Sequence, residues 1–342
     1  MANEKIKFIS PIQILETFSS VPQGSNYGIE LHNVPEIWKK TKGAGVKIAV
    51  IDTGLSNHQA VKSRIAAHNN FSSSDIVDDR DGHSTHVSGI TCAFGNIGIA
   101  PEASLVFVKA LGDDGYGDDN SIGASIEWAT EQLDKNDIIN MSLGGPSNYQ
   151  MPRSHAAIKK AYAKGIHIIC AAGNESSEVG VPARYEECIA VAAVDQNKNK
   201  AYFNNKGEQV DFAAAGVGIF SCGLGNSWVK LSGTSMACPQ IAAMAALIIS
   251  EHKNNPNKET PIESTEDLKE HIRRICVDLG SEGKDIDFGD GMPFFKPEED
   301  PPVEDPIDPP VEDPIDPPVE KPKSNWTLCG WLSEIFKKIW PW

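Results

Sequence analysis

The chain of 342 residues carries 31 Lys and Arg against 47 Asp and Glu, a formal net charge of −16, and is 40% hydrophobic and 23% charged. This size and balance suit one large globular core with appendages. The acidic excess, with no Gly-rich phosphate loop and no basic-aromatic patch, argues against nucleic acid as a partner.

Met1 to Lys7 is charged, and neither an apolar run nor a small-residue cleavage site follows, so no export signal is expected. The seven cysteines, at 92, 170, 188, 222, 238, 276 and 329, are scattered and mostly in apolar surroundings. They lack the spacing of a zinc site or a disulfide framework and are expected as reduced thiols of a cytoplasmic protein.

From about residue 44 to 293, β-branched runs (46–51, 105–109, 138–141, 166–170, 189–194) alternate with helix-like segments around 83–93, 120–132, 153–164 and 235–250. The expectation is an α/β fold with a mostly parallel central sheet and helices on both faces. The first run ends in Asp52 and a turn, Thr53-Gly54, which puts a carboxylate at the carboxyl end of a buried strand, where open sheets build their sites. An aspartate capping the next turn would read the same way.

His83 and His86 follow, three apart, at an expected helix start. The metalloprotease spacing of four with an intervening Glu is absent, so no metal is expected, and one of the pair could instead be a general base. The run to Cys170 leads into Ala171-Ala172-Gly173-Asn174-Glu175, in which Asn174 is either a turn former or an amide donor to an oxyanion. Ser232-Gly233-Thr234-Ser235 opens the alanine-rich segment 235–250. A hydroxyl there is either a helix N-cap or a nucleophile at the positive end of the helix dipole.

After Phe295 the composition changes. The eight residues Pro301 to Asp308 repeat as 309–316 and begin again at 317, so 296–323 is expected to be an extended, acidic, Pro-rich linker. Residues 324–342 hold four of the seven tryptophans. As a helix they would place Trp331, Leu332, Ile335, Phe336, Ile339 and Trp340 on one face, opposite Ser333, Glu334, Lys337 and Lys338. The segment is too short and charged to span a bilayer; it could dock on the globule, a partner groove or a membrane surface.

Five motifs, "AVIDTG", "DGHSTHVSG", "INMSLGGP", "AAGNE" and "SGTSMACP", stand in the order and approximate spacing of the subtilisin-like serine proteases, which the chain resembles from about residue 36 to 292. In style it is similar to the intracellular bacterial subtilisins. The resemblance implies a three-layer subtilisin-like fold and a serine endopeptidase acting through an acyl-enzyme. It makes Ser235 the nucleophile, His83 the general base and Asp52 its orienting carboxylate, with Asn174 and the Ser235 N–H as oxyanion donors and His86 structural.

By the same resemblance Gly115, Tyr116 and Gly117, with Ser142, Leu143 and Gly144, form the cleft edges that take an extended peptide. Ala172, Gly173 and Gly180 complete the substrate-binding set, Gly180 as a pocket floor that leaves space for a large apolar side chain. Residues 1–35 read as an N-terminal extension, 36–295 as the peptidase domain, 296–323 as the linker and 324–342 as the tail. "KFISPIQ", residues 7–13 with Pro11, is the candidate for blocking the cleft, against a simple surface strand.

Departures from the family pattern carry their own expectations. His58-Gln59-Ala60 replaces His-Pro-Asp, and the loop after the histidine helix is cut to Phe94-Gly95-Asn96-Ile97-Gly98. The family's strong calcium site is therefore expected to be missing and no cofactor to be required, a weaker calcium site elsewhere staying open. Asp113, Asp114, Asp118 and Asp119 are a solvated acidic loop or a preference for basic substrates. Ser84 adds bulk beside His83, and Cys238 near Ser235 suggests sensitivity to thiol reagents. The expected partners are peptides or unfolded proteins, in general turnover or processing of a dedicated peptide, in the cytoplasm with membrane association through the tail. The alternative is a recruitment or regulatory protein working through its Trp-rich tail.

Overall fold

Residues 4–9, 14–21, 26–256 and 260–297 are described by the structure, a computed structural model. The chain divides into units 1–297 and 298–342, and the second, with the Pro-rich repeat and the Trp-rich tail, lies outside the described residues, as does Pro11. In chain order the elements are β1 (Ile6–Lys7), β2 (Glu16–Phe18), α1 (Tyr27–Leu31), α2 (Val34–Trp38), β3 (Lys47–Asp52), α3 (Gln59–Lys62), β4 (Ile65–Asn70) and α4 (His83–Cys92). They continue with β5 (Ser104–Lys109), β6 (Tyr116–Gly117), α5 (Asp119–Gln132), β7 (Ile138–Met141), α6 (Pro152–Ala163), β8 (His167–Ala171), β9 (Cys188–Val194) and β10 (Val210–Ala215). The last are β11 (Ile219–Cys222), β12 (Trp228–Leu231), α7 (Thr234–Asn254), α8 (Thr265–Arg274), β13 (Cys276–Val277) and β14 (Met292–Pro293).

Seven strands form a parallel sheet in the order β10-β9-β8-β7-β3-β5-β4. The runs lack polar alternation because both faces of the sheet are covered. Ile48 and Val50 of β3 join one core cluster with Val87 and Ile90 of α4 and the apolar side of α7, while Ala49 and Ile51 join a second with Ile122 and Ile126 of α5 and Ile158 of α6. This is the expected α/β architecture. Strand β3 lies between β7 and β5 in registers Val50↔Asn140 and Asp52↔Lys109, so Asp52 and Ser142 come level at the carboxyl ends of adjacent strands.

Helix α7 is long and apolar enough to cross a membrane by length and composition, but that stretch is wholly buried, which makes it the central core helix. Its Pro239 has no N–H to return to the carbonyl of Ser235 four residues earlier. Ser142 Oγ donates to that carbonyl instead, at 2.9 Å, tying the first turn of α7 to the end of β7.

Candidate active site

Asp52 is fully buried at the end of β3, and His83, the first residue of α4, is 3% exposed. Nδ1 of His83 lies 2.8 and 2.9 Å from the two Asp52 carboxylate oxygens. Donation from Nδ1 to a carboxylate leaves Nε2 as the basic nitrogen. Burial pulls the His83 pKa down, but the charge and hydrogen bond of Asp52, with Asp81 and Asp79 behind, outweigh it and hold the ring above its ordinary value of 6.5.

The sequence reading overlooked Asp79, which joins the two elements. Its Oδ1 accepts from Thr53 Oγ1 at 2.9 Å and from Gly82 N at 2.9 Å, and its Oδ2 from Thr85 N and Oγ1 at 2.8 and 2.7 Å. A carboxylate at the start of α4 thus satisfies donors that Gly82 cannot cap and pins the helix to the turn after Asp52. Lys109, also overlooked, is fully buried; its Nζ donates to Thr53 O at 2.5 Å, Asp78 O at 3.1 Å and Asp113 at 2.7 Å. A buried ammonium needs these acceptors, and they hold the backbone beside Asp52 in place. The signal for Lys109 was the one used for Asp52: a charge at the end of an apolar run.

Ser235 is the second residue of α7 and 8% exposed. The N-cap is Gly233, with no side-chain cap bond, so the capping reading of Ser232, Thr234 and Ser235 is set aside. Ser235 Oγ donates to Ser142 O at 3.0 Å, and among the described residues no hydrogen bond joins it to His83. Its N–H lies in the first turn of α7, where an N–H has no partner within the helix.

Asn174 Oδ1 accepts from Thr234 N at 2.8 Å and Thr234 Oγ1 at 2.9 Å. A backbone N–H can only donate, so these bonds fix the amide with its oxygen toward the helix and its NH2 on the other side. Asn174, Gly173, Leu143, Gly144, Thr234 and Ser235 line a cavity of about 230 Å³. Gly173, with φ +114, bonds from its N to Thr234 Oγ1 at 3.2 Å. Ala172 is fully buried, and its carbonyl accepts from Gly180 N at 3.1 Å, so both sit behind the cavity wall. At Gly180 a Cβ would run into the carbonyl of Gly145, so close backbone approach favours glycine there.

The two segments expected as cleft edges already hold a strand. Lys7 pairs with Tyr116 and Ile6 with Gly117, Phe8 N donates to Gly115 O at 3.1 Å, and Gly144 N donates to Phe8 O at 2.8 Å. Phe8 and Ile9 are 2% and 3% exposed, and the Phe8 ring packs edge-on against Tyr149 at 5.6 Å.

Each of the four loop aspartates has a partner within the chain. Asp113 pairs with Lys109, Asp114 Oδ1 accepts from Tyr116 N, Asp118 caps α5, and buried Asp119 accepts from the start of α6. His86 is fully buried with Nε2 3.0 Å from Ile219 O, and burial drives its pKa down to about 3, as suits a packing residue. Ser84 is accommodated by a 2.5 Å bond to Gly54 O. Cys238 corrects an expectation: its thiol is fully buried against Asn140 Oδ1 and Ile169 O, and burial pushes its pKa far up, so it is shielded from thiol reagents.

A calcium ion takes six to eight oxygen ligands. Residues 94–98 offer no carboxylate, and the His58 ring is spent on Ala60 N and Ser227 O, so the residues there do not fit such an ion. Among the described residues no group of three or more His, Cys, Asp or Glu gathers to hold a metal.

The profile of the subtilase family, a peptidase family, matches residues 43–291. The chain is 37% identical over 297 residues to the intracellular serine protease of Paenibacillus polymyxa, covering 82% of this chain and 89% of that one. It is 37% identical to the major intracellular serine protease of Bacillus subtilis over 287 residues (79% and 86%), and to subtilisin DY of Bacillus licheniformis over 264 residues (74% and 92%). With a family match across most of the chain, strand-end carboxylate, paired histidine and helix-mouth serine fall into one setting: this chain belongs to the subtilase family and is a serine-type endopeptidase.

Proposed function

We propose that this endopeptidase cuts peptide bonds with Asp52, His83 and Ser235 as its triad and is held latent by its own N-terminal segment inside the cell. The observation that carries the reading is the two-oxygen contact of Asp52 with His83 Nδ1, beside a strand end, Ser142, whose carbonyl accepts from the Ser235 hydroxyl. In the working state Ser235 Oγ turns from Ser142 O to His83 Nε2, a bond that commonly forms only with substrate in place. His83 takes the hydroxyl proton as Oγ attacks the carbonyl, and the oxyanion is met by the Asn174 NH2 and the Ser235 N–H. His83 then protonates the departing amine, and water repeats the sequence to release the acyl group. Side chains and backbone supply every group these steps use, so the reading needs no metal.

Latency is supported by residues 6–9, which occupy both cleft edges as a substrate would, the mode in which a peptide adds a strand to an open edge. The intracellular setting is supported by the two intracellular relatives and by six described cysteines that are all unpaired thiols. Polypeptide turnover or processing of a dedicated peptide fits this cleft; the alternative role of the Trp-rich tail lies outside the described residues. The test is a short peptide anilide: Ser235→Ala should remove hydrolysis with the circular dichroism unchanged, and Phe8→Asp, which puts a charge at a site 2% exposed, should raise it at least several-fold over wild type. Turnover by Ser235→Ala would remove the triad, and an unchanged rate in Phe8→Asp would remove latency.

A further inference from the structure

The N-terminal segment touches the body in two places of different character. Phe8 and Ile9 are buried in the cleft, whereas Ile14 and Leu15 are 56% and 47% exposed and Glu16 and Thr17 are exposed as well. What holds this second stretch is mostly main chain. Strand β2 pairs antiparallel with β12 in the register Phe18↔Trp228, Thr17↔Val229, Glu16↔Lys230, extended by Leu15 N to Lys230 O at 3.0 Å. Strand β11 covers the other side of β12, so without β2 the strand Trp228–Leu231 would be a bare sheet edge.

Three side chains of the body, Lys230, Phe220 and Trp228, add selectivity. Lys230 Nζ is 2.8 Å from Glu16 Oε2 and 5.5 Å from the centre of the Phe18 ring. Phe18 meets Phe220 edge-on at 5.4 Å, and Phe220 stacks on Trp228 at 5.6 Å. The edge therefore presents backbone pairing, a cation and an aromatic platform in fixed order. It ends at Leu231, directly ahead of Ser232, Gly233 and the turn that carries Ser235.

We propose that β12 is a second peptide-binding strand of this endopeptidase, taking an extended substrate segment in which an acidic residue stands two places before an aromatic one. The inference rests on reading residues 6–9 as a substrate-like segment. Occupied by β2, the strand helps keep the enzyme latent; vacated, it grips long polypeptides downstream of the cleft by strand addition, with Lys230 and the Phe220–Trp228 pair as the selective contacts. Short peptides gain nothing from it. The enzyme would then favour unfolded chains over fragments.

The test uses the full chain with Phe8→Asp to clear the cleft, in two forms: Glu16→Lys, which loosens β2 and leaves β12 intact, and Lys230→Glu, which loosens β2 and reverses the charge of β12. Each is given quenched peptides identical through the cleavage point that carry Glu-Thr-Phe or Lys-Thr-Phe downstream at several spacings. Glu16→Lys should favour the Glu peptide by about fivefold in kcat/KM at one spacing, and Lys230→Glu should reverse that preference, as expected for a half-exposed ion pair turned to repulsion. Equal Glu-to-Lys ratios in the two variants, with turnover of a short anilide retained, would show that β12 serves only the chain's own segment. No anilide turnover by either variant would instead sink the reading of a triad blocked by residues 6–9, and this proposal with it.

Discussion

His83 stands in the field of three carboxylates, Asp52, Asp79 and Asp81, and its raised pKa follows from the balance of their attraction against burial. The base must be neutral, so activity should rise with pH through an ionisation above 6.5, seen as the acid limb of the kcat/KM profile. Asp81→Asn removes one of the charges that favour the imidazolium and should move that limb to lower pH. A limb that stays in place would deny Asp81 its influence. Asn174→Ala should cost about 10²–10³ in kcat with the fold intact, the order known for the oxyanion asparagine of subtilisin itself. Cys238 gives the opposite expectation: iodoacetamide on the folded protein should leave activity unchanged, because the thiol is fully buried and its pKa is raised. These roles were unequally legible. Asp52, His83, Asn174 and Ser235 sit in distinctive short motifs, whereas Asp79 acts on groups brought near only by the fold, and Lys109 is marked only by its place at the end of an apolar run.

At the scale of elements, the bond from Ser142 to the Ser235 carbonyl couples β7 to α7 because Pro239 leaves that carbonyl without a helical partner. Ser142→Ala should leave a buried acceptor unsatisfied and cost about 1–3 kcal/mol in chemical denaturation, while the Ser142 carbonyl that receives Ser235 Oγ is retained. A loss below a few tenths would mean that water takes over. Helices α4, α5, α6 and α7 lie within a few residues of the helix-like segments expected between the apolar runs, and the buried runs of β3, β5, β7, β8 and β9 were equally readable. Strand β4 was not. It reads Ile-Ala-Ala-His-Asn-Asn, an edge strand whose half-exposed residues lack the apolar run that marks its neighbours. The hairpin of β11 and β12 escaped notice because Ser221 and Lys230 break its apolar runs.

Across the whole molecule, buried neutral histidines set the acid limit of stability. Burial lowers His32 to about 4, His86 to about 3 and His167 to about 4, each below the ordinary 6.5. Between those values and 6.5 the unfolded chain binds protons that the folded one refuses, so stability falls as pH drops below about 6.5, by up to about 1.4 kcal/mol per pH unit for each histidine. His58 is lowered as well, so His83, with its raised pKa, works the other way as one against four. The melting temperature should therefore fall from pH 7 to pH 5, and a flat profile would mean that these rings are protonated in the native state. The central claim, that Ser235 is the activated nucleophile beneath an Asp52-oriented imidazole, is tested most directly by reacting the Phe8→Asp chain with a fluorophosphonate and locating the adduct by peptide mass spectrometry. A single adduct on Ser235, forming faster as pH rises through an ionisation above 6.5 and lost in the His83→Ala version, is the predicted result; an adduct elsewhere, or one indifferent to His83, would contradict it.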